Sequence, residues 1–186
     1  MLGITDLKPG TFFEFDGQPH LVVSAEHSKL GRGGSILRSR IRNLKTGAIF
    51  DHTFKGNDQL DEADVAREPM QFLYADDSGA TFMNMNTYEQ VVIPATVVAD
   101  QIKWLKEGMD VQVMRWNAEP LGVELPIKVD YTITYTEPGF KGNTQSSVGK
   151  PATLETGAEV QVPLFINQGD KIIIDTRSGQ YLERAK

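Results

Sequence analysis

Six cations stand close together near the start of the chain: Lys29, Arg32, Arg38, Arg40, Arg42 and Lys45 lie between Ser28 and Phe50, with no acidic residue in that interval. Arg38, Arg40 and Arg42 occupy alternate positions, and alternate side chains of an extended strand share a face. Three guanidinium groups in a row match phosphate geometry and would add salt-dependent binding to a nucleic-acid backbone. Arg32 sits inside Gly31-Arg32-Gly33-Gly34, so a glycine-rich hairpin would carry it at its tip, able to reach into a crevice. The same alternation is what any half-exposed sheet produces on its solvated side. The residue pattern leaves both readings open.

Other chemistry is poorly served. Gly31 to Ser35 lacks the Gly-Lys-Ser/Thr ending and following helix of a phosphate-cradling loop. The chain has no cysteine, which excludes disulfides, thiol catalysis and Cys-ligated metals. His20, His27 and His52 lack metal-ligand spacing, and the acids Asp61, Glu62 and Asp64 lack that of a calcium loop. They read as a solvated negative rim. No serine lies in a nucleophile-elbow context. No active site, metal or cofactor is expected. A second unusual stretch, Gly139 to Pro151, is long and carries only Lys141 and Lys150 as charges; loops of this length are functional or disordered.

The elements that must position these residues are strands and turns. Thr11–Phe15 and His20–Ser24 flank an Asp16-Gly17 turn, a hairpin signature. Lys29–Ser35 reads as loop, Ile36–Arg42 as a strand burying Leu37 and Ile41, and Ala48–Phe54 as its partner. Phe72-Leu73-Tyr74 and Thr81-Phe82-Met83 flank a second turn. The one helix is expected from about Pro94 to Lys106, where Val97, Val98, Ile102 and Leu105 fall near helical spacing. Val111–Trp116 and Leu121–Leu125 are strands, and Val129–Thr136 alternates with Val129, Tyr131, Ile133 and Tyr135 on one face. Strands at Glu159–Pro163, Lys171–Asp175 and Gln180–Leu182 close the chain. Short, regularly spaced strands predict an all-β protein of small barrels, with 186 residues dividing into three near Val65 and Pro126.

Nineteen Lys and Arg against twenty-five Asp and Glu give a net charge of −6. Such a chain does not bind nucleic acid or anionic membrane indiscriminately, so any basic site must be local. The N-terminus shows no signal peptide and no apolar run approaches membrane-spanning length, which predicts a cytoplasmic protein without membrane contact.

Several strings then carry a resemblance along the whole chain: Lys29-Leu30-Gly31-Arg32-Gly33, Asn43-Leu44-Lys45-Thr46-Gly47, Phe54-Lys55-Gly56, Gly122-Val123-Glu124-Leu125-Pro126, Thr136-Glu137-Pro138-Gly139-Phe140-Lys141-Gly142, Lys150 to Ala158, Val162-Pro163-Leu164-Phe165, and Asp175-Thr176-Arg177-Ser178-Gly179 with Tyr181. In order and at this spacing, they resemble the bacterial elongation factor P family. The resemblance implies an N-terminal SH3-like (KOW) barrel at 1–65 and two OB-fold barrels at 66–126 and 127–186, in an L-shaped, tRNA-like arrangement. It also implies a non-enzymatic translation factor, without cofactor. Such a factor binds the 70S ribosome between the peptidyl-tRNA and exit sites as a monomer and relieves stalling at consecutive prolines by positioning the CCA end.

The implied contacts follow residue by residue. Arg32 is the loop tip, and Lys29, Gly31, Arg32, Gly33, Arg38, Arg40, Arg42 and Lys45 face tRNA and rRNA. Lys141, Gly142, Asn143, Thr144, Lys150, Tyr181 and Arg184 face the small subunit and the exit-site codon. The commoner subtype carries Lys-Pro-Gly-Lys-Gly at the tip; here Leu30 replaces the proline and Arg32 the second lysine. Lysine-directed modification is thereby impossible, and the loop is similar to the arginine subtype, whose tip is rhamnosylated by a dedicated arginine rhamnosyltransferase. Gly142-Asn143-Thr144 stands where the family has Gly-Asp-Thr, so one carboxylate is lost. Two other readings remain open: a paralogue of the family with different stalling-motif preference, and a general single-strand RNA-binding OB protein using Tyr74, Phe82, Tyr131 and Tyr135.

Overall fold

The computed structural model describes residues 1–30, 34–139 and 149–186. Sixteen strands account for nearly all of its regular structure, and they cluster into two compact units. The first comprises Met1–Glu68 and Val113–Gly122, the second Pro69–Gln112 and Val123–Lys186. The all-β expectation is met.

In the first unit, β1 (Leu2–Gly3), β2 (Phe12–Phe15), β3 (Gln18–Leu30), β4 (Gly34–Asn43), β5 (Ile49–Lys55) and β6 (Gln59–Glu62) form an antiparallel sheet in the order β1-β6-β2-β3-β4-β5. Asp16 and Gly17 both take positive φ, 52° and 68°, the two-residue hairpin geometry whose twist matches the flanking strands. These strands bury Phe13, Val22, Leu37, Ile41 and Phe54, and the turn and loop after β1 add Ile4 and Leu7 to the same cluster. The Phe13 and Phe54 rings meet edge to face at 5.8 Å, a favoured aromatic arrangement. A second cluster joins Leu44 and Ala63 to Trp116 and Leu121, with Phe12, Leu21, Val65 and Met114 against it. Residues 113–122 therefore pack against the N-terminal segment, while the two strands they belong to pair into the middle sheet.

The middle sheet follows the order β11-β10-β7-β8-β9 and the last β14-β13-β12-β15-β16. Their strands are β7 (Val65–Asp76), β8 (Gly79–Asn84), β9 (Gln90–Pro94), β10 (Asp110–Trp116), β11 (Glu119–Glu124), β12 (Lys128–Thr136), β13 (Lys150–Leu154), β14 (Glu159–Val162), β15 (Lys171–Asp175) and β16 (Gln180–Arg184). Among the described residues no helix is long and apolar enough to cross a membrane.

Two expectations are corrected here. The helix from Pro94 to Lys106 is instead a single α-turn, α1 (Ala95–Val98), and a 3-10 turn, Ile102–Trp104, with Leu105 already extended. The run Thr96-Val97-Val98 is β-branched and neither turn has a side-chain cap, so local propensity does not sustain a longer helix. Val98, Trp104 and Leu105 are nonetheless buried, which explains the apolar spacing. In β12, the register shifts between Ile133 and Tyr135. Beyond that bulge the faces exchange: Tyr135 is 60% exposed while Thr136 is buried, its Oγ1 donating to the Pro151 carbonyl at 2.9 Å.

Within the second unit, Trp104 joins the 3-10 turn to the last sheet. The Tyr131 hydroxyl donates to the Trp104 carbonyl at 2.6 Å, and the two rings lie 6.1 Å apart. Lys106 Nζ donates to the Asp130 carbonyl at 2.5 Å and lies 3.6 Å and 3.7 Å from the Asp130 and Glu155 carboxylates. Gly179, at φ +71°, abuts the same indole: a Cβ there would stand 3.1 Å from Trp104 Cζ2. Both its conformation and its clearance call for glycine.

Candidate nucleic-acid interface

The arginine row stands on the longest hairpin among the described residues. β3 and β4 pair from His20↔Asn43 to Leu30↔Gly34, with one irregularity between Val22 and Ser24. The strands therefore continue through Lys29, Leu30 and Gly34, which the sequence assigns to loop; Lys29 pairs with Ser35 across the ladder. The loop tip, Gly31, Arg32 and Gly33, lies outside the described residues.

On β4, Leu37, Ser39, Ile41 and Asn43 point inward and Arg38, Arg40 and Arg42 outward, as period-two alternation requires. The face is not purely cationic, because neighbouring strands supply acids. Arg38 lies across from Glu26, and Arg40 across from Asp51. Arg40 Nε donates to Asp51 Oδ1 at 3.0 Å; this hydrogen bond, and then the charge of Asp51, raises the guanidinium pKa above its ordinary value. Arg42 stands between Leu21 and Ile49. Arg38 and Arg42 form no ion pair among the described residues.

Lys45 is placed elsewhere. Asn43 Oδ1 accepts from the backbone N–H of Lys45 at 2.9 Å and of Thr46 at 3.0 Å, an Asx turn that ends β4. The ammonium of Lys45 then sits 2.6 Å from Glu119 Oε2 and 5.3 Å over the Trp116 ring. Its charge is engaged by the 113–122 hairpin and does not join the arginine row.

At the other end of the chain, Lys141, Gly142, Asn143 and Thr144 lie outside the described residues. Lys150 is buried, with 6% of its surface exposed, and its Nζ donates to the Glu137 carbonyl at 2.5 Å. It closes the base of its loop from inside instead of offering a surface charge. Tyr181 is half-buried beside Pro151, Gln161, Pro163 and Gly179 in an open groove of about 720 Å³. Arg184 is exposed on the same strand, and its Nη2 donates to Asp170 Oδ1 at 2.6 Å. Asp51, Glu119 and Asp170 were not singled out from sequence. Asp51 was within reach, since a hairpin turn at Asn43–Gly47 puts it opposite Arg40; the other two answer their cations through folding of distant segments.

The three segments match family models in turn: residues 4–60 the elongation factor P (EF-P) KOW-like domain, 65–123 the EF-P OB domain, and 129–184 the elongation factor P C-terminal domain. Elongation factor P of Pelotomaculum thermopropionicum is 44% identical over 184 residues, 99% of this chain and 100% of that protein. Elongation factor P of Persephonella marina is 44% identical over 183 residues, 98% and 96% respectively. Among solved structures, eukaryotic translation initiation factor 5A from Methanococcus jannaschii superposes with a TM-score of 0.54 at 19% identity, over 64% of this chain and 88% of that one; this likeness speaks to fold alone. With family models over most of its length and relatives matched end to end, the chain belongs to the elongation factor P family, a family of translation factors and not of enzymes.

Proposed function

We propose that this protein binds the 70S ribosome between the peptidyl-tRNA and exit sites and speeds peptide-bond formation at consecutive prolines by holding the CCA end of the peptidyl-tRNA. The observation that carries this reading is the long β3–β4 hairpin, which bears exposed Arg38 and Arg42 along its flank and leads to Arg32. Proline is a slow donor and acceptor because its ring restricts the reacting geometry. A factor without catalytic groups accelerates such a step by fixing the reactants near their attack geometry, an entropic contribution. Arg38 and Arg42 bind phosphate, Arg40 is tempered by Asp51, and Lys45 and Lys150 act as structural residues. Tyr181 and Arg184, with the 141–144 segment, face the small subunit.

The same reading makes Arg32 the substrate of an arginine rhamnosyltransferase and the factor a cytoplasmic monomer. The family-model limits support module boundaries near Val65 and Pro126. The test is translation of a Pro-Pro-Pro message in a reconstituted system. Arg32→Ala should lose the stimulation given by the wild type while keeping its thermal midpoint; normal Pro-Pro-Pro synthesis with that variant would overturn the tip mechanism. Intact mass of the protein from its native host should show one added deoxyhexose on the Arg32 peptide, and an unmodified peptide would remove the sugar from the mechanism.

A further inference from the structure

The turn joining β8 to β9 holds an aromatic ring in water at a cost to the backbone. Asn84 Oδ1 accepts from the backbone N–H of Asn86 at 2.8 Å and of Thr87 at 3.1 Å. The strand ends are tied by Asn84 N–H to the Glu89 carbonyl and Tyr88 N–H to the Asn84 carbonyl, both 2.9 Å. In this frame Tyr88 takes φ +60°, the left-handed region that penalises any residue with a Cβ and suits glycine. Among the described residues only Asp16, Asn117 and Ala118 share that property without being glycine. Tyr88 gains nothing visible in return: it is 71% exposed, Met85 of the same turn is 40% exposed, and its ring has no aromatic or cationic neighbour among the described residues. An unfavourable backbone that yields no packing in the free chain points to a contact made with something else.

We infer that Tyr88 and Met85 form a docking knob for an apolar socket on a basic protein surface. The tip from Asn84 to Gln90 carries one charge, the carboxylate of Glu89, and no cation. It cannot neutralise phosphate, and Glu89 repels a nucleic-acid backbone, whereas base-stacking platforms pair their aromatics with a cationic groove. Tyrosine and methionine are the residue types enriched at protein interfaces. The hydrogen-bonded turn is already formed, so little ordering is required on binding. Glu89, beside the knob, selects a socket with a positive rim.

The inference rests on the ribosome-binding reading, because a ribosome offers both basic protein surfaces and RNA. The experiment uses the full chain and purified 70S ribosomes, with Tyr88→Gly, Tyr88→Phe and Tyr88→p-benzoylphenylalanine variants. Wild-type protein that fails to bind ribosomes overturns the ribosome reading and this inference with it. Given wild-type binding, Tyr88→Gly should bind at least about fivefold more weakly with an unchanged or higher thermal midpoint, and Tyr88→Phe should restore binding. The photo-crosslinker should attach to a ribosomal protein. Wild-type affinity or a lowered midpoint for Tyr88→Gly, a crosslink to RNA, or no crosslink on ribosomes that bind the wild type would each overturn the inference alone.

Discussion

Replacing Tyr131 by phenylalanine removes a single oxygen atom from the centre of the second unit. The ring is fully buried and phenylalanine fills the same space, so no cavity of consequence forms and the loss is that of the hydroxyl donated to the Trp104 carbonyl at 2.6 Å. A buried acceptor deprived of its donor costs about 1–3 kcal/mol. For a chain of this length the thermal midpoint should fall by about 2–12 °C. The protein has two tryptophans, Trp116 in the first unit and Trp104 in the second. Tyr131→Phe made in a Trp116→Phe background therefore lets Trp104 fluorescence report the unit that is perturbed. A pH series adds an independent readout. Burial, with the charges of Glu155 and Asp130, holds the Tyr131 phenol well above its ordinary pKa. The unfolded chain loses that proton near pH 10 while the folded chain keeps it. The folded state then binds more protons, and stability falls as pH rises beyond about 10. Tyr131→Phe lacks this ionisation, so the gap between the two proteins should narrow above pH 10. A midpoint within about 1 °C of the parent, or a gap that stays constant through the alkaline range, would refute the reasoning.

Two further outcomes follow from the first unit. Arg38→Gln and Arg42→Gln should each lower the slope of log affinity for ribosomes against log salt by about 1; Arg40→Gln should change it less, because Asp51 already holds that guanidinium. Ala118 sits at φ +66° in the β10–β11 turn, where the left-handed penalty of about 1–2 kcal/mol exceeds the extra chain entropy of glycine, about 0.4–1 kcal/mol. Ala118→Gly should consequently raise the unfolding midpoint read from Trp116 fluorescence.

Local signals carried most of the strand pattern. Asp16-Gly17 announced its turn because only a few residue types accept two positive φ values in succession. The alternation of Arg38, Arg40 and Arg42 against Leu37 and Ile41 placed the cationic side correctly because a strand has no other way to sort them. What escaped the sequence were relations made across distance. The interval from Ser28 to Phe50 looks free of acids, yet pairing brings Glu26 and Asp51 alongside the arginines. Lys45 reads in sequence as one more member of the cationic run, with no sign of the Glu119 and Trp116 that the fold sets beside it. Lys150, an ordinary loop lysine in sequence, finds a buried carbonyl. The bulge after Ile133 inverts Tyr135 without any glycine or proline to mark it, and the β-branched run at Thr96–Val98 mimics helical spacing while resisting a helix.

The chain visits its first unit twice, over 1–68 and again over 113–122, and this constrains how such a protein can be cut or recombined. A gene fragment ending at residue 65 encodes every strand of the N-terminal sheet but neither Trp116 nor Leu121, so Leu44, Ala63 and Phe12 lose their cover. Grafting the N-terminal segment of one homologue onto another must carry a second, short piece with it, or two halves of one apolar cluster arrive from different parents. A single exchange point near residue 65 would therefore leave Leu44 and Ala63 facing a Trp116 and Leu121 from another parent.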